Sequence, residues 1–209
     1  TGTFEGGAKT INNINVKYGY TPVGLFGYAR SATIQGFNIE NESITGLNYV
    51  GGVAGYTNNS TIREIVLKNI DVSGNASVAG VNGHRYSGLI SSIIAKNVKV
   101  NATTGYGGVL WAGADSGNAG TVNNSIIASA DVTAQSMQNG ITSNVYWTNN
   151  YKKNSVLDQT YTVDEEKIED INCYESAYID TWIGGDDDSS GYYFDYDSKG
   201  KIVIKDVSK

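Results

Sequence analysis

Thr33-Ile34-Gln35-Gly36-Phe37-Asn38-Ile39-Glu40-Asn41 returns 28 residues later as Thr61-Ile62-Arg63-Glu64-Ile65-Val66-Leu67-Lys68-Asn69. The same beat carries Gly24, Gly52, Gly80 and Gly108, and apolar columns such as Val16, Ile44, Val72 and Val100 or Ile11, Ile39, Leu67 and Ala95. Further columns run Leu25, Val53, Val81, Val109 and Ile34, Ile62, Ile90, and Asn41, Asn69 and Asn97 keep the same register. A fixed period of this length means that each unit is one structural turn, stacked on the last so that like residues form ladders. Within a unit, short β-prone runs alternate with glycine and asparagine corners; Phe37 and Ile39 share one face, as do Ile62, Ile65 and Leu67. The fold class predicted is all-β: a parallel, right-handed β-solenoid (a β-helix) over residues 1–157, closed by a small α+β cap over 158–209.

The beat slips by four residues between Val109 and Val122, because Val132 follows Val100, and Gly140 follows Gly108, by 32. The expected bulge is Ala112 to Gly120. Insertions in solenoids collect on one face, often the binding face, so Asp115 and Asn118 are candidate ligand contacts; a tolerated surface loop is the plainer alternative. The asparagine column reads as a ladder of side-chain amides, each satisfying its neighbour. The glycines of Val50-Gly51-Gly52-Val53-Ala54-Gly55-Tyr56 mark a sharp bend between inward valines.

Charge divides the chain. Residues 1–157 carry ten Lys/Arg against seven Asp/Glu, whereas 158–209 carry five against fourteen, for a net charge of −6. A net-negative surface without a Lys/Arg run argues against nucleic acid, and no apolar stretch approaches the length of a membrane-spanning segment. The single cysteine, Cys173, excludes an internal disulfide and reads as a passive thiol. The chain opens at Thr1 without an initiator Met or signal peptide, which reads as a fragment of a longer secreted protein.

In the tail, Thr162 is the expected N-cap of a short helix over 162–171, with Glu165 closing a capping box. Tyr192 to Tyr196 and Lys201 to Lys205 read as a hairpin. Ile168, Ile171, Tyr174, Tyr178 and Trp182 are expected to cover the open end of the last coil, since an uncovered rung exposes strand edges and core.

The chemistry-bearing residues are few. His84 is the only histidine, which excludes an HExxH zinc site and leaves any Ser–His dyad dependent on that one residue. Asp115-Ser116-Gly117 only faintly echoes a nucleophile turn. Glu40 and Glu42 share a strand face by spacing, but a solvated strand accounts for both, so the paired carboxylates of a glycosidase are not evident. No cofactor is expected beyond Ca2+, for which Asp195, Asp197 and Asp206 are the candidate ligands: Asp195 to Ile202 matches several positions of a calcium loop, although a β-hairpin explains the same residues. Asp186, Asp187 and Asp188 read as a solvated loop. Tyr146, Trp147 and Tyr151 cluster near the end of the last coil, either as exposed rings that stack on sugars or protein partners, or as fillers of the cap.

Gly2-Thr3-Phe4-Glu5-Gly6, Thr10 to Val16, Val23-Gly24-Leu25-Phe26-Gly27-Tyr28 and Val50 to Tyr56 together resemble GLUG-repeat regions. Such repeats occur in large bacterial surface proteins, including the amino-terminal regions of IgA-cleaving zinc peptidases. The likeness is good over 1–84, fades through 85–157, where Val78 to Gly83 and Gly107 to Trp111 keep only part of the motif, and does not reach the tail. It implies a non-catalytic module, located outside the cell or on the bacterial surface, attached to adjacent domains of a larger chain. The expected roles are adhesion to a host glycoprotein, glycan or matrix protein, or spacing. The alternatives are an accessory region that positions substrate for a secreted peptidase or glycosidase, and a glycan-active β-helix enzyme.

Overall fold

In the computed structural model, the residues described are 1–115, 120–127, 130–137, 142–148, 151–153, 161–163, 192–196, 198 and 202–206. The first coil consists of β1 (Gly2–Asn12), β2 (Asn15–Lys17) and β3 (Phe26–Arg30). The second is β4 (Ala32–Thr45), β5 (Asn48–Gly51) and β6 (Ala54–Asn58), and the third is β7 (Ser60–Gly74), β8 (Ala76–Ala79) and β9 (Asn82–Arg85). The fourth is β10 (Gly88–Ala102), β11 (Tyr106–Gly108) and β12 (Trp111–Ala114). The chain goes on through β13 (Thr121–Ile127), β14 (Ala130–Thr133), β15 (Ser136–Met137), β16 (Thr142–Thr148), β17 (Tyr151–Lys153) and β18 (Tyr161–Val163), and ends in the hairpin β19 (Tyr192–Tyr196) and β20 (Ile202–Asp206). Among the described residues every regular element is a strand.

Each coil lays one long strand and two short ones on the coil before it, always parallel. The long face runs β1-β4-β7-β10-β13-β16-β18, the second face β5-β8-β11-β15 and the third β3-β6-β9-β12. The sequence columns are physical ladders: Ile39 pairs with Ile11 and Leu67, Ala95 with Leu67 and Ile127, and Ile44 with Val16 and Val72. Ile39, Leu67, Ala95 and Ile127 are buried in one continuous core, and each large side chain so buried contributes about 1.5–3 kcal/mol. The β-solenoid expected from the period is therefore what the chain forms.

Long strands of this length remain on course because two positions along the long face of each coil adopt left-handed backbone. One position is Ala8, Gly36, Glu64 and Ser92; the other is Asn13, Asn41, Asn69 and Asn97. Each such residue resets the inward-outward alternation, so Ile34 and Phe37, three apart, both face the core. Asparagine tolerates this conformation better than other side chains, and the expected amide ladder follows: Asn41 donates to Asn12 at 2.9 Å, Asn69 to Asn41 at 2.9 Å and Asn97 to Asn69 at 3.0 Å.

Four expectations need correction. Glu40 and Glu42 do not share a solvated face. The left-handed Asn41 between them turns Glu42 inward to 2% exposure, in register with Ile70. The glycine column breaks at its fourth member. Gly108 pairs with Ala79 rather than Gly80, because one of the four extra residues enters before β11, between the pairs Ala102–Gly74 and Gly107–Val78. The bulge accordingly begins later than Ala112: Trp111, Gly113 and Ala114 still pair with Asn82, His84 and Arg85.

Thr162 is not a helix N-cap. It lies in β18, paired with Trp147, so the long face extends past residue 157; parallel pairing with a neighbouring rung overrides the local capping signal. The rest of the expected helix, with Cys173 and Asp186 to Asp188, lies outside the described residues. The hairpin is present, with Tyr192 opposite Asp206 and Tyr196 opposite Ile202. It lies against β1, β4 and β7, along the flank of the early coils rather than over the last one. Val66 on β7, like its register partner Ile94 on β10, is buried yet outside the core cluster.

Candidate functional site

The second and third faces meet at the bend Gly51-Gly52-Val53-Ala54-Gly55. A side chain there has no room: a Cβ on Gly51 would strike the carbonyl of Ala54, and one on Gly55 would lie 2.7 Å from the carbonyl of Tyr49. The next coil repeats this closeness, with a Cβ on Gly83 2.5 Å from the amide of Val50. Glycine thus lets two strand backbones approach until side chains of the two faces touch.

What touches is an aromatic cluster. Tyr28, Tyr56 and His84 occupy one register position on β3, β6 and β9. Coils stack at roughly 4.8 Å, which forces equivalent rings face to face. Tyr28 and Tyr56 lie 5.3 Å apart and Tyr56 and His84 5.4 Å apart, each pair at 18°. Tyr49, in left-handed backbone on β5, comes across the bend to 4.3 Å from His84 and 5.9 Å from Tyr56.

The column stops at Gly113, the register partner of His84. A Cβ there would strike both His84 Nδ1 and Ser77 Oγ. Two residues on, Asp115 closes the cluster: His84 Nε2 and Asp115 Oδ1 are 3.2 Å apart, and the Tyr56 hydroxyl donates to Asp115 Oδ2 at 2.8 Å. The Tyr56 hydrogen bond, and after it that of His84, holds the Asp115 carboxyl below the usual carboxylate range. Burial and then the bond to Asp115 push the Tyr56 phenol up to about 12.

Beside this cluster is an open groove of about 900 Å³, with Tyr49, Ser77 and His84 in its lining and Tyr20, Leu47 and Tyr106 at its exposed rim. Among the described residues of its lining there is no lysine or arginine. Behind it, on β9, Arg85 is fully buried with its guanidinium 4.2 Å over the Trp111 ring and Nη1 donating to the Thr121 carbonyl at 3.1 Å. Burial lowers its pKa to about 10, so Arg85 stays cationic but does not face the groove lining.

Of the residues singled out from the sequence, Asp115 belongs to this site, and Asn118 lies outside the described residues. Tyr146, Trp147 and Tyr151 occupy the long face instead, paired with Ile126, Ile127 and Ala130. Ile127 and Ala130, the register partners of Trp147 and Tyr151, are buried. For the proposed calcium loop, Asp195 pairs with Val203 and Asp206 with Tyr192. Because positions on a strand alternate faces, Asp195 and Asp206 occupy opposite faces of the hairpin. Asp197, which completes the candidate ligand set, lies outside the described residues. Among the described residues no three His, Cys, Asp or Glu gather as a metal site would require.

Tyr28, Tyr49 and Tyr56 are what a reading of the apolar columns passes over. Their signal was present, since Tyr28, Tyr56 and His84 are spaced by the same 28 residues. No protein-family profile, no curated protein and no solved structure matches this chain.

Proposed function

We propose that this chain is a non-catalytic recognition module of a bacterial surface or secreted protein, working outside the cell, with the groove between its second and third faces as the ligand site. The observation that carries this reading is the exposed aromatic rim of that groove over a floor held by the Tyr56–Asp115–His84 hydrogen bonds. Tyrosines presented on a rigid scaffold lose little entropy when they bind, and they offer both a flat apolar face and a hydroxyl. Four stacked coils supply that rigidity. The resemblance of residues 1–84 to GLUG repeats supports the extracellular setting, and host glycans, glycoproteins or matrix proteins are the ligands it favours.

A non-catalytic role agrees with the groove's chemistry. Glycoside hydrolysis uses two carboxyl groups about 5–9.5 Å apart across the scissile bond, and Asp115 is the one carboxylate tied to the described groove. If the parent protein carries a peptidase or glycosidase domain, the same groove would hold substrate for it.

The test is a screen of the purified chain against arrays of host glycans and matrix glycoproteins, with and without Ca2+. Saturable binding that Tyr106→Ala weakens, with an unchanged melting temperature, is the expected result. Binding to no class would leave the chain a spacer, and binding indifferent to changes in the groove would put the recognition site elsewhere.

A further inference from the structure

The groove has a direction and a charge, and both narrow its ligand. Its lining comes from the same region of four successive coils: Tyr20 and Thr21, then Asn48 and Tyr49, then Ala76 and Ser77, then Gly105 and Tyr106. It therefore runs along the solenoid axis, over three coil spacings or roughly 14 Å. Its two ends carry exposed tyrosines, Tyr20 at 71% and Tyr106 at 47% exposure. Between the rings the lining is polar and neutral: Asn48 adds a side-chain amide, and the Thr21 and Thr104 hydroxyls, which donate to the Asn48 and Asn75 carbonyls, keep lone pairs that can accept.

From these features we infer that the groove takes an uncharged oligosaccharide, laid along the coil axis with one sugar ring on Tyr20 and another on Tyr106. This rests on the groove being the recognition site. Pyranose rings present apolar C–H faces to aromatic rings and hydroxyls at their edges, which matches flat tyrosines separated by neutral hydrogen-bonding groups. An extended peptide fits less well. Peptides that add to a sheet do so through free backbone groups at an edge, whereas β5 and β8 are already paired coil to coil along this face. Anionic sugars, sialylated or sulfated, find no lysine or arginine among the described lining residues and meet the Asp115 carboxylate beside His84.

Calorimetric titration of the whole chain with a neutral lactosamine-type trisaccharide, and with the same trisaccharide bearing a terminal sialic acid, tests the assignment. The expected result is saturable binding of the neutral sugar that changes little with salt. Sialylation, Tyr20→Ala and Tyr106→Ala should each weaken it about tenfold, equivalent to ~1.4 kcal/mol. Both tyrosines are exposed, so the melting temperature should not move; Tyr106→Phe should keep most of the affinity, because it keeps the ring. Equal or tighter binding of the sialylated sugar overturns the assignment, as does neutral-sugar binding that neither alanine variant alters. Binding to a matrix protein with its glycans removed, lost in Tyr106→Ala, overturns the sugar assignment while leaving the groove a recognition site. Failure to bind any sugar or protein overturns both.

Discussion

Glu42 is the residue whose environment departs furthest from its chemistry. Its carboxyl lies in the core, neither oxygen has a hydrogen-bond partner, and burial pushes its pKa from 4.5 up to about 8. Below pH 4.5 the group is protonated in folded and unfolded chains alike, and its burial carries the desolvation cost of an unpaired neutral acid but not that of a charge. Between pH 4.5 and about 8 the unfolded chain releases a proton that the folded chain keeps, so stability falls as pH rises. By pH 7 that loss amounts to ~3 kcal/mol. Glu42→Gln should remove this slope and raise stability at pH 8 relative to the parent; urea unfolding at pH 5 and pH 8 measures both. A parent whose stability is flat across that range would show that the carboxyl finds a partner in solution. Asp115 titrates in the opposite sense. Its depressed pKa keeps it ionised, and its bonds to Tyr56 and His84 are lost only as pH falls through the acid range. Strand alternation alone placed Glu42 outside, because a left-handed residue such as Asn41 leaves no mark in a period-2 pattern.

At the scale of the element, the long strands depend on their asparagine corners. Asn69 donates its amide to Asn41 and accepts from Asn97 while its backbone stays at φ 57°. Asn69→Ala loses two hydrogen bonds of ~1 kcal/mol each and forces a side chain with no local compensation into left-handed backbone, at ~1 kcal/mol more. The expected loss is about 2–3 kcal/mol in chemical denaturation. Asn69→Gly should lose about 1 kcal/mol less, because glycine adopts that backbone freely; equal losses would mean that the backbone conformation contributes nothing. This ladder was legible in the sequence because an asparagine that returns once per coil lands on its counterpart, and stacked amides pair donor to acceptor. The insertion was legible in length but not in place. A count of apolar columns locates four extra residues between two landmarks, whereas the hydrogen-bond register shows that one of them enters before β11 and shifts Gly108 by one position.

Across the whole molecule, the hairpin β19–β20 links the end of the chain to its first coils. It lies against β1, β4 and β7, where Asn38 and Val66 on the outer side are buried. Removal of residues 192–209 should therefore destabilise the early coils by about 2 kcal/mol for each large apolar side chain uncovered. Hydrogen exchange would show weaker protection along β4 and β7 and little change in β10. Uniform protection in the shortened chain would mean that the hairpin covers nothing of consequence.

The period by itself determined that the chain coils, which columns fill the core and where the asparagines stack, since each follows from a one-dimensional repeat laid on itself. Tertiary structure alone decided which columns of different faces meet. Tyr56 and Asp115 are 59 residues apart and off the beat, and Tyr49 and His84 belong to separate strands of separate coils. Their meeting depends on how closely two backbones approach at a glycine bend. That distance is set by the absence of side chains in three dimensions, and a repeat read along one dimension does not contain it.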